Sequence, residues 1–179
     1  MYKLLTALAL LVTAGSARAQ APGTADTAHH AYEIVQDTET VVLKGLLNRK
    51  DLEADPVHFK WFTENRKYGR ADEAAVQAFK QKGSQFQVVI FGGTWCHDTQ
   101  NLLPVFYRLA DLAGYADDQV TLIGVDRAKT TLDNLHKAFH ITNVPTFIVM
   151  KDGKEIGRVV EYGKYSQIDK ELGEIVSGM

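Results

Sequence analysis

The stretch Gln87-Val88-Val89-Ile90-Phe91-Gly92-Gly93-Thr94-Trp95-Cys96-His97-Asp98-Thr99 decides the architecture. Its first part is a nearly continuous apolar run of the kind that strands buried on both faces show, and Gly92-Gly93 ends it. From Thr99 to Ala113 the pattern changes. Leu102, Leu103, Phe106, Leu109, Ala110 and Ala113 recur on one helical face, and Gly114 stands just past the last of them. Pro104 lies inside this helix and predicts a kink. Cys96 therefore falls between a buried strand and a helix start. Backbone N–H groups without intrahelical partners, together with the positive end of the helix dipole, stabilise an anion such as a thiolate there. His97 favours that anion when protonated, Asp98 opposes it, and the Thr99 hydroxyl, one turn on, can donate a hydrogen bond to sulfur.

Working outward, Ala71 to Lys82 reads as a helix carrying Ala75, Val76 and Phe79, with Gly83 stopping it. Downstream, Val120 to Val125 is a second buried strand and Leu132 to Phe139 is helical. Thr146 to Met150 and Ile156 to Val160 are strands joined by Asp152-Gly153, a strong hairpin signal, and Ser166 with Asp169 fits a capping box before a last helix. This alternation predicts an α/β fold whose central mixed β-sheet is flanked by helices. Upstream, from about Ala31 to Tyr68, Ile34, Val41, Val42, Leu46 and Leu47 sit at mostly helical spacing. Asp55-Pro56 then opens a segment holding Phe59, Trp61, Phe62 and Tyr68. The expectation is an N-terminal helical extension packed onto the rest by its aromatic residues.

At the amino terminus, Lys3 precedes an apolar run from Leu4 to Ala14, and Ala17-Arg18-Ala19 places small residues before Gln20, the pattern of a cleaved secretory signal. The run is shorter than a membrane span of about 20 residues, so no membrane anchor is expected. The organisation is thus a signal peptide over 1–19, a lead-in and helical extension over 20–69, and an α/β domain over 70–179. With 179 residues, 45% hydrophobic and 23% charged, the chain is ordinary globular material rather than disordered or coiled coil. A net charge of -2 supplies no basic field for nucleic acid. The single cysteine excludes an internal disulfide, a cysteine-rich zinc site and a cysteine-ligated cluster. His136 and His140, spaced i and i+4, and His29-His30 lack a third ligand at readable spacing, so no metal or organic cofactor is implied. In an oxidising compartment cysteines usually pair. An unpaired Cys96 there is either inert or kept for chemistry.

Five features stand in order: Trp95-Cys96-x-x at a helix start, Pro104 within that helix, a strand ending Val125-Asp126, Val144-Pro145-Thr146 opening a strand, and the Asp152-Gly153 hairpin. In these the chain, from about residue 71 to 179, resembles the thioredoxin family. The resemblance implies a thioredoxin-like fold in which Cys96 is the exposed nucleophile and Trp95 the aromatic before it. It also implies that Val144-Pro145 forms a cis-proline loop facing the sulfur, where the backbone pairs with an extended substrate. Two departures concern one step. Thr99 stands in place of the family's second cysteine, and Ile90 in place of the buried acid six residues before the nucleophile. A thiolate can still attack a disulfide, but resolution from within the chain cannot follow. The expected function is monothiol exchange, in the periplasm or outside the cell, on protein or low-molecular-weight mixed disulfides, by a monomer or a Cys96-linked dimer. Cys96, Thr99 and His97 would be the catalytic residues and Trp95, Val144 and Pro145 the substrate-binding wall. The competing expectation is a redox-inactive module that holds extended peptides in the same groove.

Overall fold

The computed structural model describes residues 32–68 and 70–179; the predicted signal segment over 1–19 lies outside the described residues. The buried run after Gln87 forms strand β3 (Gln87–Gly92), which pairs in parallel with β4 (Val120–Gly124) and antiparallel with β5 (Thr146–Lys151). Asp152 and Gly153 both take positive φ, 51° and 74°, the conformation a two-residue type I′ turn demands, and lead from β5 into β6 (Lys154–Val160). Around these strands pack α3 (Glu73–Lys82), α4 (His97–Ala113) and α6 (Ile168–Ser177).

The helical reading of Ala31 to Tyr68 holds only from Arg49 onward. Tyr32–Val35 and Val42–Leu47 are strands β1 and β2, an antiparallel hairpin. β2 also pairs with β4, Gly45 opposite Gly124 and Leu47 opposite Leu122, which gives a single sheet in the order β1-β2-β4-β3-β5-β6. The physical reason is tertiary. Without β2 the buried strand β4 would leave a row of backbone groups unpaired, and covering that edge outweighs a weak helical pattern. A side chain at position 124 would collide with the carbonyl oxygen of Leu43, so this junction requires the glycine found there. The rest of the extension is helical: α1 (Arg49–Glu53), opened by a capping box between Asn48 and Asp51, and α2 (Lys60–Asn65). Its aromatic residues act as expected in part. Phe59 and Phe62 are buried, and Phe62 meets Tyr107 of α4 edge to face at 5.3 Å, whereas Tyr68 is exposed.

Two further readings are corrected. Leu132 to Phe139 is only a 3-10 turn followed by one helical turn, α5 (Leu135–Ala138), because Asp133 and Asn134 take left-handed conformations. Ser166 does not cap α6. Its φ is 56°, Gln167 occupies the cap position, and the Asp169 carboxylate accepts a hydrogen bond from the Asp72 N–H at 2.7 Å, tying the start of α6 to the start of α3.

The sheet separates two cores. Val88 and Ile90 of β3 face the larger one with Phe79, Leu103, Phe106 and Leu172, while Phe91 faces a smaller one with Ile123, Val125, Val144 and Ile148. That alternation is the period of two expected of a strand. Trp95 and Cys96 pack at the margin of the smaller core.

Helices α3 and α6 touch at Gly173. Alanine is the better helix former by about 1 kcal/mol, but its Cβ would lie 2.5 Å from both Cα and Cβ of Ala75. Gly173→Ala is therefore expected to destabilise the protein by roughly 1–3 kcal/mol. Urea unfolding checks this, and an unchanged or raised midpoint would refute the close contact.

Candidate active site

The site is built where β3 gives way to α4. The turn closes with the Cys96 N–H donating to the Gly93 carbonyl at 2.9 Å, and the Gln100 side-chain amide donates to the Thr94 carbonyl at 2.9 Å. Gly93 is needed for close approach: a Cβ there would lie 2.6 Å from the Trp95 indole nitrogen. Cys96 has extended backbone dihedrals and occupies the N-cap of α4, but its side chain makes no capping bond. Instead its partly exposed thiol donates to the Val144 carbonyl oxygen at 3.4 Å.

Val144 belongs to a tightly held loop. Its peptide bond to Pro145 is cis, the Thr146 hydroxyl donates to the Asn143 carbonyl at 2.7 Å, and the Glu161 N–H donates to the Pro145 carbonyl at 2.8 Å. The Val144 side chain is buried in the smaller core, so the loop presents backbone rather than side chain to the sulfur.

The other expected residues lie around this pair. His97 is exposed on the first helical position and Asp98 is half-buried. Thr99 is 1% exposed, and its Oγ1 accepts from the Gly93 N–H at 3.2 Å. Among the described residues no hydrogen bond runs from Thr99 to sulfur; its hydroxyl serves the turn. Ile90 is fully buried. The Trp95 indole donates to the Val125 carbonyl at 3.0 Å, which lays the ring over the end of β4. His136 serves its own turn, with Nδ1 accepting from the Thr131 N–H at 3.1 Å.

Several residues that sequence reasoning passed over shape the site. The buried Thr94 hydroxyl donates to the Val41 carbonyl at 2.8 Å and accepts from the Leu43 N–H at 3.2 Å, joining the turn to β2. Arg127 stands 5.5 Å over the Trp95 ring, close enough for a cation–π contact. Its guanidinium bonds both carboxylate oxygens of Asp37, at 2.5 and 3.1 Å, and Glu39 at 2.7 Å. Behind them Lys44 reaches Asp126 at 2.8 Å. The only local signal was Asp37 itself, an acid two and three residues before backbone N–H groups that it caps, those of Glu39 and Thr40.

Comparison with known proteins bears on the same region. The Thioredoxin family profile matches residues 71–174, more than half of the chain. The chain is 27% identical over 95 residues to thioredoxin H2 of Arabidopsis thaliana, covering 53% of this chain and 66% of that protein. It is 30% identical over 101 residues to thioredoxin H2-2 of Oryza sativa subsp. japonica, covering 56% and 69%. The chain thus spans just under two-thirds of the length of the first of these relatives. Among solved structures, an HIV epitope-scaffold superposes with a TM-score of 0.54 at 14% identity, over 74% of this chain and 93% of that one, a likeness of fold alone.

Two expectations follow from the geometry. Thr94→Val keeps the shape but leaves the Val41 carbonyl and the Leu43 N–H without their partner, which costs about 1–3 kcal/mol. Amide exchange at Leu43 should accelerate together with the loss of stability, and Thr94→Ser should recover most of both. The second concerns acid. Burial pushes the Asp126 carboxyl up, but hydrogen bonds from Lys44 and Thr130 outweigh it and hold the group below the usual carboxylate range. A carboxyl depressed by folding contributes stability above its unfolded value, near pH 4, and loses it as pH falls through the lower folded value. Stability should therefore fall from about pH 4 downward, and Asp126→Asn should remove part of that decline in an acid titration of the urea midpoint.

Proposed function

Since the chain belongs to the thioredoxin family, we propose that it exchanges disulfides through one thiol, that of Cys96. The observation that carries the reading is the partly exposed Cys96 sulfur at the start of α4, within hydrogen-bond reach of the carbonyl oxygen of the cis Val144–Pro145 loop. In the resting state the thiol proton is held by Val144. Once that proton leaves, the sulfur turns to the unpaired N–H groups that open α4, which stabilise its charge.

The thiolate then attacks one sulfur of a substrate disulfide. A bond forms between Cys96 and that sulfur, the old sulfur–sulfur bond breaks, and the second substrate sulfur departs as a thiolate that takes a proton from water. The number of disulfides is conserved. Release runs the same step in reverse with a thiol from outside, either low-molecular-weight or on a protein, because Thr99 supplies no second sulfur and Ile90 no proton acceptor.

In this reading Val144 and Pro145 offer backbone to an extended substrate, Trp95 forms the side wall, and exposed His97 adjusts the local charge. Thr99 acts as a positioning residue, through the turn that it ties to Gly93. The protein works outside the cytoplasm as a monomer or a Cys96-linked dimer, a location that rests on the residue pattern over 1–19.

Turnover of a glutathione mixed disulfide on a peptide, with glutathione supplied as the releasing thiol, tests this. Cys96→Ser is expected to fall to the uncatalysed rate, while insulin reduction is weak in the parent protein. Equal rates for parent and variant would remove the exchange reading and leave a peptide-holding module.

A further inference from the structure

The wall beside Cys96 is completed by a segment upstream of the residues that match the family profile. Trp95 is fixed along one edge by its bond to the Val125 carbonyl, and its face carries the Arg127 guanidinium. Arg127 lies on the loop that follows β4, with its side chain 45% exposed. Two carboxylates hold it. Asp37, only 11% exposed, grips two nitrogens of the planar fork, and Glu39 takes one of them as well. A bidentate grip sets the plane of a guanidinium as well as its position. Asp37 is itself locked, since its Oδ1 also accepts from the Glu39 and Thr40 N–H groups in the β1–β2 turn. That turn is in its place because β2 is part of the central sheet and is tied to Thr94.

We infer that the Asp37–Glu39 turn is a positioning element of the site, holding Arg127 over Trp95 and so setting the wall that a substrate meets beside Cys96. This rests on the exchange reading of Cys96. Asp37 and Arg127 act through Trp95 and are positioning residues. The Arg127 hydrogen bond holds the Asp37 carboxyl well below the usual carboxylate range, so the clamp stays charged across ordinary pH.

The test uses the full chain with Trp61→Phe, which leaves Trp95 as the sole tryptophan. Arg127→Ala, and separately Asp37→Asn with Glu39→Gln, should each expose Trp95 to acrylamide quenching. Both should raise KM for the mixed disulfide roughly two- to fivefold, the scale of an exposed cation–π contact, with kcat unchanged. Combining all three changes should add nothing beyond Arg127→Ala, since the acids act only through the arginine. Quenching and KM at parental values in folded Arg127→Ala would overturn the inference. If that variant fails to fold, the Asp37→Asn, Glu39→Gln pair decides on the same readouts. Should the parent show no exchange at all, the proposed function fails, and the clamp is still judged by Trp95 quenching and by the rate at which iodoacetamide alkylates Cys96.

Discussion

One buried hydroxyl fixes where the Cys96 sulfur stands. Thr94 follows β3, yet it bonds a carbonyl and an N–H of the chain entering β2, with β4 between the two strands in the sheet. A turn of glycines would otherwise leave β3 with wide freedom. With both lone-pair and proton of Thr94 engaged in a region shut off from water, the turn has one position, because every alternative strands polar groups that the interior cannot solvate. Cys96 comes two residues later and inherits that position. The Gly93 N–H to Thr99 bond pins the same turn from the helix side.

On this frame the surroundings of the sulfur divide by chemistry. Toward the Val144–Pro145 loop it meets a carbonyl, whereas it makes no hydrogen bond to the N–H groups that begin α4. Ile90 is buried, and the buried Thr99 Oγ1 accepts from the Gly93 N–H. In the proposed exchange, the second sulfur and the proton acceptor would come from the solvent side. On that side the Trp95 wall is charged at its outer face, through Arg127 and the two acids that hold it.

The parts legible in the sequence were those whose signal is local. The β3 run, the face of α4, the Asp152-Gly153 hairpin and the position of Cys96 each follow from periodicity or from a residue with special backbone freedom. The misreadings have a common cause. Ile34, Val41, Val42, Leu46 and Leu47 satisfy a helical spacing about as well as a strand, and the choice was made by the open edge of β4. Ser166 and Asp169 matched a capping box, but the Asp72 N–H, distant in sequence, claimed the Asp169 carboxylate. Thr99 was expected at the sulfur, but its Oγ1 accepts from the Gly93 N–H, and no bond to sulfur forms.

What the sequence determined by itself was the alternation of strands and helices, a lone thiol at a helix start, and the absence of a second cysteine and of an acid at position 90. These are properties of residue type and short spacing, and short spacing is nearly rigid once an element forms. Only the tertiary structure decided that the extension supplies β2 to the sheet, that Thr94 anchors the turn, and that Asp37 and Glu39 hold Arg127 over Trp95. Those pairings join residues as far apart as Asp37 and Arg127. Their partners are selected by which buried polar groups and open strand edges remain after the local elements have packed, and no local pattern carries that information.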